Sequence, residues 1–202
     1  MKKLIAAIAL SVIAYTNINA QSVAFKAGYT HSNVLVSPEP ANIFTPKGTF
    51  HAGIAVKDLM LTEKIGLQPE LLYSMQGFRV AGVGNVGIHY LSLPVLVTFP
   101  VTEQLQLQVG PQVSYMVNSR VGVVSDLFSI TYNGLFHDID AGAVAGMEFK
   151  ATENVSIGGR YYLGMTNVNK DFSLGNNNFS DYFQMKNTGI QAYVSFSFGG
   201  KK

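Results

Sequence analysis

The sequence predicts an all-β protein: a closed antiparallel up-and-down barrel of about eight strands that crosses a membrane. Three observations lead there. The chain opens on an export-type leader, and charged residues are only 13% of the whole, against ~25% in ordinary soluble domains. Apolar residues recur at every second position in segments of about ten, the period of a strand with two different faces. A Thr-Glu turn recurs every 40 to 50 residues, each time between two such segments.

The leader comes first. Met1-Lys2-Lys3 is a short positive region, "LIAAIALSVIAY" an apolar segment, and "NINA" ends on the small residue Ala20. This is the layout of a signal peptide spanning 1–20, cleaved before Gln21; the apolar part is too short for a spanning helix. Losing Lys2 and Lys3 takes 14 basic residues to 12, against 12 acidic ones. The basic pI of 8.7 therefore belongs partly to the leader. With no basic stripe and no recognition motif, nucleic acid is not an expected partner. With no Cys there are no disulfides or thiolate metal sites.

The remaining 21–202 read as one barrel domain. Expected strands cover 22–31, 48–58, 64–77, 88–99, 105–118, 138–149, 154–168 and 187–198. The first alternates Val23, Phe25, Ala27 and Tyr29 with Ala24, Lys26, Gly28 and Thr30. The fifth alternates Leu105, Leu107 and Val109 with Gln106, Gln108 and Gly110, and the last alternates Ile190, Ala192, Val194 and Phe196 with Gln191, Tyr193, Ser195 and Ser197. A soluble barrel would carry Lys and Glu on its wet face; here the polar face is Gly, Ser, Gln and Thr, suited to a lumen with lipid on the other side.

The turns supply the topology. "LTEKIGLQPELLY", "VTEQLQLQVGPQV" and "ATENVSIGGRYYL" match in register, each preceded at the same distance by Leu59, Phe99 or Phe149. The connections between them are longer and polar, including "RVAGVGNVG" at 79–87. Strict alternation of short and long connections is the asymmetry of an outer-membrane barrel, with short periplasmic turns and long outer loops. Phe99, Phe149 and Phe198 fall at the periplasmic level and Tyr29, Tyr73 and Tyr115 at the outer one, as expected of two aromatic girdles.

Parity sends Lys26, Lys57, Glu70, Asp140, Glu148 and Arg160 into the lumen. Glu70, Gly110 and Arg160 each lie eight residues after the Thr of their own turn. The expectation is that Glu70 and Arg160 pair across the lumen, with Gly110 leaving space, because unpaired charges there are costly. Pro69, Pro94 and Pro111 should gather at one level, Pro94 near Leu71 on one side and near Gly110 and Pro111 on the other. That level should lack ladder bonds, at a bulge or bend.

"FKAGYTHSNV", "LQPELLYSMQGF", "HYLSLPVLVTF", "LQLQVGPQVSYMV" and "VSIGGRYYLGMTNV", in this order, resemble the outer-membrane β-barrel family that includes PorT, common in Bacteroidetes. The resemblance covers nearly the whole mature chain. It implies a small outer-membrane barrel and, through named members, a connection to protein export by the type IX secretion system. Two departures stand out: Ser92 replaces an often acidic residue, and Gly199-Gly200-Lys201-Lys202 follow the terminal aromatic.

The first functional expectation is a non-enzymatic scaffold or interaction protein, since an eight-stranded interior is just wide enough for side chains to fill. Partners would be outer-membrane lipid and lipopolysaccharide, with envelope or secretion-system proteins beside them; no cofactor or metal is expected, and oligomeric state is left open. The first alternative is a narrow porin-like conduit for water or small ions. The second is a lipid-modifying hydrolase, weakened because neighbouring His31 and Ser32 point to opposite faces of a strand. No catalytic motif is present. The outer segments "SDLFSITYNGLF" and "GNNNFSDYF" have the composition of adaptable contact loops and equally of ordinary ones. The acids of the outer loops, Asp126, Asp171 and Asp181, do not have calcium-loop spacing.

Overall fold

A computed structural model describes residues 22–37, 43–62, 64–82, 84–123, 128–131, 136–169, 173–174, 177–178 and 184–199. The expected signal segment and the loop acids Asp126, Asp171 and Asp181 lie outside them. Eight long strands build the wall: β1 (Ser22–Ser37), β2 (Phe44–Lys57), β3 (Ile65–Val80), β4 (Gly84–Pro100), β5 (Leu105–Val123), β6 (Ile139–Lys150), β7 (Val155–Gly164) and β8 (Gln184–Phe198). Each pairs antiparallel with the next. β8 pairs back onto β1, from Val23 opposite Phe198 to Ser37 opposite Gln184. The sheet is therefore closed, and no backbone edge faces lipid.

The two faces sort as the alternation requires. Val23, Phe25, Ile54, Leu91, Val109, Met147, Ile190, Val194 and Phe196 are exposed on the outer wall. Between them, Lys26, Glu70, Ser92, Gln108, Gln191 and Ser195 are buried inside. A soluble fold would reverse this, because exposing that much apolar surface to water costs about 25 cal/mol per Å².

The Thr-Glu repeats build matching turns at one rim of the barrel. Thr102 Oγ1 accepts from the backbone N–H of Gln104 and Leu105 at 3.2 and 3.0 Å. Thr152 Oγ1 accepts from Asn154 and Val155 at 3.4 and 3.0 Å. A hydroxyl standing in for a backbone acceptor holds such turns closed. The first turn differs. The chain leaves β2 through Asp58, which has φ 60, makes a short strand, Leu59–Thr62, against β3, and then turns. The Ser22 hydroxyl donates to the Asp58 carboxylate across this bend.

At the opposite, long-loop rim the strands run further than the sequence suggests. β1 continues to Ser37, β2 starts at Phe44, and β5 reaches Val123. The 79–87 segment is not a long loop, since β3 runs to Val80 and β4 begins at Gly84. Long and short connections therefore do not alternate strictly. β7 ends at Gly164, four residues earlier than expected.

The proline level also differs in detail. β3 and β4 pair up to Pro69–Val95, break, and resume at Leu72–Ser92 in unchanged register. β4 and β5 pair up to Pro94–Gln112, break, and resume at Val97–Val109, again without a shift. The ladder is interrupted where the prolines stand, but no residue is inserted. Pro94 lies level with Gln112 instead of Gly110 and Pro111. Between the long strands the register shifts nearer the loop rim, between Pro46 and His51 in β2 and at His89 and Tyr90 of β4, where Val117 of β5 is the extra residue. Neither shift lies between Pro94 and the Thr102 turn; the offset comes from the turn itself, which pairs Pro100 with Gln106 and so centres the hairpin on Glu103 and not on Thr102.

Candidate functional site: the barrel lumen

The lumen is packed in layers. The layer nearer the turn rim is ionic, with residues from five strands. Arg160 Nη1 donates to Glu70 Oε2 at 2.7 Å, and Lys26 Nζ donates to Glu70 Oε1 at 2.6 Å. Gln68 Nε2 adds a third bond to Glu70 at 2.8 Å. Lys26 Nζ also lies 3.5 Å from Glu148 Oε2, and Lys57 donates to Glu148 Oε1. Glu70 and Arg160 thus meet across the lumen and Lys26 and Glu148 join them in one network. All four are buried. Three cations face two carboxylates, and each carboxylate is held by two cations.

Tyr193 ties the layer together. Its hydroxyl donates to Glu148 Oε2 at 2.9 Å and lies 3.1 Å from Gln108 Oε1. Lys26 Nζ stands 4.0 Å from its ring centroid and the Arg160 guanidinium carbon 5.3 Å, close enough for both to gain from the ring's negative face. The ring lies over Gly158, where an added Cβ would fall 2.3 Å from it. Parity alone sends Tyr193 inward, but nothing in the sequence marks it as the hub; Gly28 and Gly158 opposite it on the two neighbouring strands are the signal that would have.

Gly110 has another role than the expected one. A Cβ there would meet the Val95 carbonyl oxygen at 2.1 Å. The glycine permits close approach of β4 and β5; it does not clear lumen space for the ion pair.

Asp140 heads a separate network one step towards the loop rim. Tyr162 OH and Asn187 Nδ2 both donate to its Oδ2 at 2.9 Å, and Thr166 Oγ1 donates to Oδ1 at 3.0 Å. Asn187 Nδ2 also reaches Tyr90 OH at 3.1 Å. Asp140 does not join the other lumen charges. Beyond Tyr90 the interior becomes apolar: Val34, Phe78, Val86, Ile88, Met116 and Phe136 form one buried cluster. The lumen is thus shut by an ionic layer, a polar layer and a greasy cap. Towards the turn rim, a polar cavity of about 260 Å³ ends on Lys57 and Glu148.

Outside, Phe99, Phe149 and Phe198 are exposed on the wall near the turn rim, and Tyr29 and Tyr73 are exposed nearer the loop rim, with Tyr115 half-buried. Tyr161 on β7 is a further outward tyrosine, 44% exposed, whose hydroxyl bonds Thr188 at 2.6 Å.

Candidate chemistry is sparse. Ser32 is buried inward, accepting from the Gly77 N–H at 2.9 Å, while His31 is exposed outward. Thr30 and His51 share a 2.9 Å hydrogen bond inside the wall, out of reach of a substrate. Among the described residues no three His, Cys, Asp or Glu side chains converge to hold a metal.

The same architecture recurs in solved structures. Neisserial surface protein A matches with a TM-score of 0.55 at 16% identity, over 89% of this chain and 100% of that one. Ail of Yersinia pestis, in a structure with the heparin analogue sucrose octasulfate, matches with a TM-score of 0.50 at 13% identity, over 89% and 99%. At such identities the likeness concerns the fold alone. No curated protein matches the sequence. A family model, "Outer membrane protein beta-barrel domain", matches residues 17–170; with the closed wall, apolar outside and polar inside, the chain belongs to that family of outer-membrane barrels.

Proposed function

We propose that this barrel is a non-enzymatic, non-conducting outer-membrane protein that acts through its surfaces, as a scaffold or interaction partner in the envelope. The observation that carries this reading is the filled lumen. Phe78, Ile88 and Tyr90 cap it, all at most 3% exposed, and the Lys26–Glu70–Arg160–Glu148 layer blocks it again below. A solute would have to break buried ion pairs and wet an apolar plug in turn. Lipid and lipopolysaccharide would surround the wall, with envelope proteins at the loops. A connection to type IX protein export is the finer form of this reading, and its support is the sequence resemblance to the PorT-containing family.

A conduit for water or small ions is the second reading, favoured by the polar cavity lined by Ser22, Lys57, Gln68, Thr98, Glu148 and Ser156. Planar-bilayer recording of the refolded protein separates the two. The expected trace shows no discrete conductance steps; reproducible unitary steps would establish the conduit instead.

A further inference from the structure

The loop rim carries a basic patch on its outward face that the lumen does not use. Arg79 on β3 and Arg120 on β5 are exposed, and among the described residues neither takes part in an ion pair. His89 on β4 stands beside them, its Nδ1 bonded to Tyr73 OH. Lys47 reaches in from β2, its Nζ 3.6 Å from where a Cβ on Gly87 would sit. Arg120 and Lys47 both act electrostatically on the His89 imidazole. In the middle of the patch Gly87 pairs with Gly77 on one side and with Arg120 on the other; both glycines are buried, Gly87 beneath the Met75 and Lys47 side chains. Two buried polar atoms beneath the patch lack partners among the described residues: His89 Nε2, a donor when Tyr73 donates to Nδ1, and Asn118 Oδ1 on the paired residue.

Height decides what such a patch meets. Strands rise about 3.3 Å per residue and tilt about 40° in a membrane barrel. Measured from Phe99, His89 then lies about 25 Å along the axis, the thickness of the apolar band. Gly87, level with Arg120, lies about 30 Å up, and Asn85, opposite Arg79, about 35 Å. Below the patch the same strands present Tyr73, Leu91, Val95, Val109 and Val113 to the outside. Cations at headgroup height over an apolar wall match an anionic lipid whose chains lie along the barrel. Guanidinium groups suit phosphate because two N–H groups can meet two oxygens at once.

We propose that the patch formed by Lys47, Arg79, His89 and Arg120 docks the phosphate of a phosphorylated glycolipid of the lipid A type in the outer leaflet. The site depends on the membrane-spanning wall and not on the closed lumen. Conductance steps would therefore overturn the proposed function and leave this site standing.

The test uses the full-length folded protein in phosphatidylcholine nanodiscs, with its folded state checked by heat-modifiable gel mobility. The probes are diphosphorylated lipid A, its fully dephosphorylated form, and inorganic phosphate. The wild type is expected to retain diphosphorylated lipid A at least tenfold better than the dephosphorylated form by native mass spectrometry. Arg79→Gln with Arg120→Gln should abolish that preference, while Lys150→Gln, at the turn rim, should keep it. Equal retention of both lipids by the wild type, or an undiminished preference in the double variant, would overturn the proposal. So would displacement of the lipid by millimolar inorganic phosphate, which would mark a soluble-anion site. If the double variant does not fold, the wild-type comparison of the two lipids decides alone.

Discussion

Glu70 and Lys26 touch each other, yet their removal should have unequal effects. Without the Glu70 charge, Lys26, Lys57 and Arg160 share Glu148 alone, and an uncompensated buried charge costs about 3–5 kcal/mol. Without Lys26, two cations face two carboxylates: Arg160 stays on Glu70 and Lys57 on Glu148. Glu70→Gln should therefore lower stability by about 3–5 kcal/mol and Lys26→Met by clearly less, read from urea unfolding in lipid vesicles. The reverse order would show that Lys26 holds the layer together. The Glu70–Arg160 contact was legible because both residues sit at one offset from a repeated turn, and a turn fixes depth. The role of Tyr193 was not legible, since a tyrosine in a strand reads the same whether or not it bridges charges.

Elements were legible wherever one face is apolar and the other polar. That contrast is lost at the loop rim. There the inward residues Val34, Phe78, Val86 and Ile88 are apolar, and outward neighbours such as Gly77, Gly87 and Asn85 are small or polar, so the pattern inverts and resembles loop. Register was not legible either, because the irregularities near His51 and His89 have no mark in the sequence and barrel shear is a property of the closed sheet. Close strand approach at the proline level gives an element-scale prediction. Gly110→Ala would drive a Cβ to 2.1 Å from the Val95 carbonyl, so β4 and β5 must separate. The expected loss is about 1–3 kcal/mol, again by urea unfolding; an unchanged midpoint would mean that the gap absorbs a methyl group freely.

For the whole molecule, lipid replaces water as the outer solvent. Val194 is exposed on β8, four residues from Phe198, near the middle of the apolar band. Val194→Arg should destabilise the barrel by about 2–4 kcal/mol in vesicles. The same substitution at Phe198, at the rim, should cost about 1 kcal/mol or less. Equal costs at the two depths would place the membrane elsewhere on the wall.

The ionic layer also bears on how the barrel could come apart. Lys26 belongs to β1, while Glu148 and Arg160 belong to β6 and β7, on the other side of the β1–β8 seam. Parting that seam sideways within the bilayer would tear Lys26 from Glu148 and leave bare charge facing hydrocarbon. The layer works as a latch: parting the two strands that close the barrel also breaks ion pairs that lipid cannot replace. A barrel built this way should open from its ends, and should release neither its interior nor a substrate into the membrane through its side.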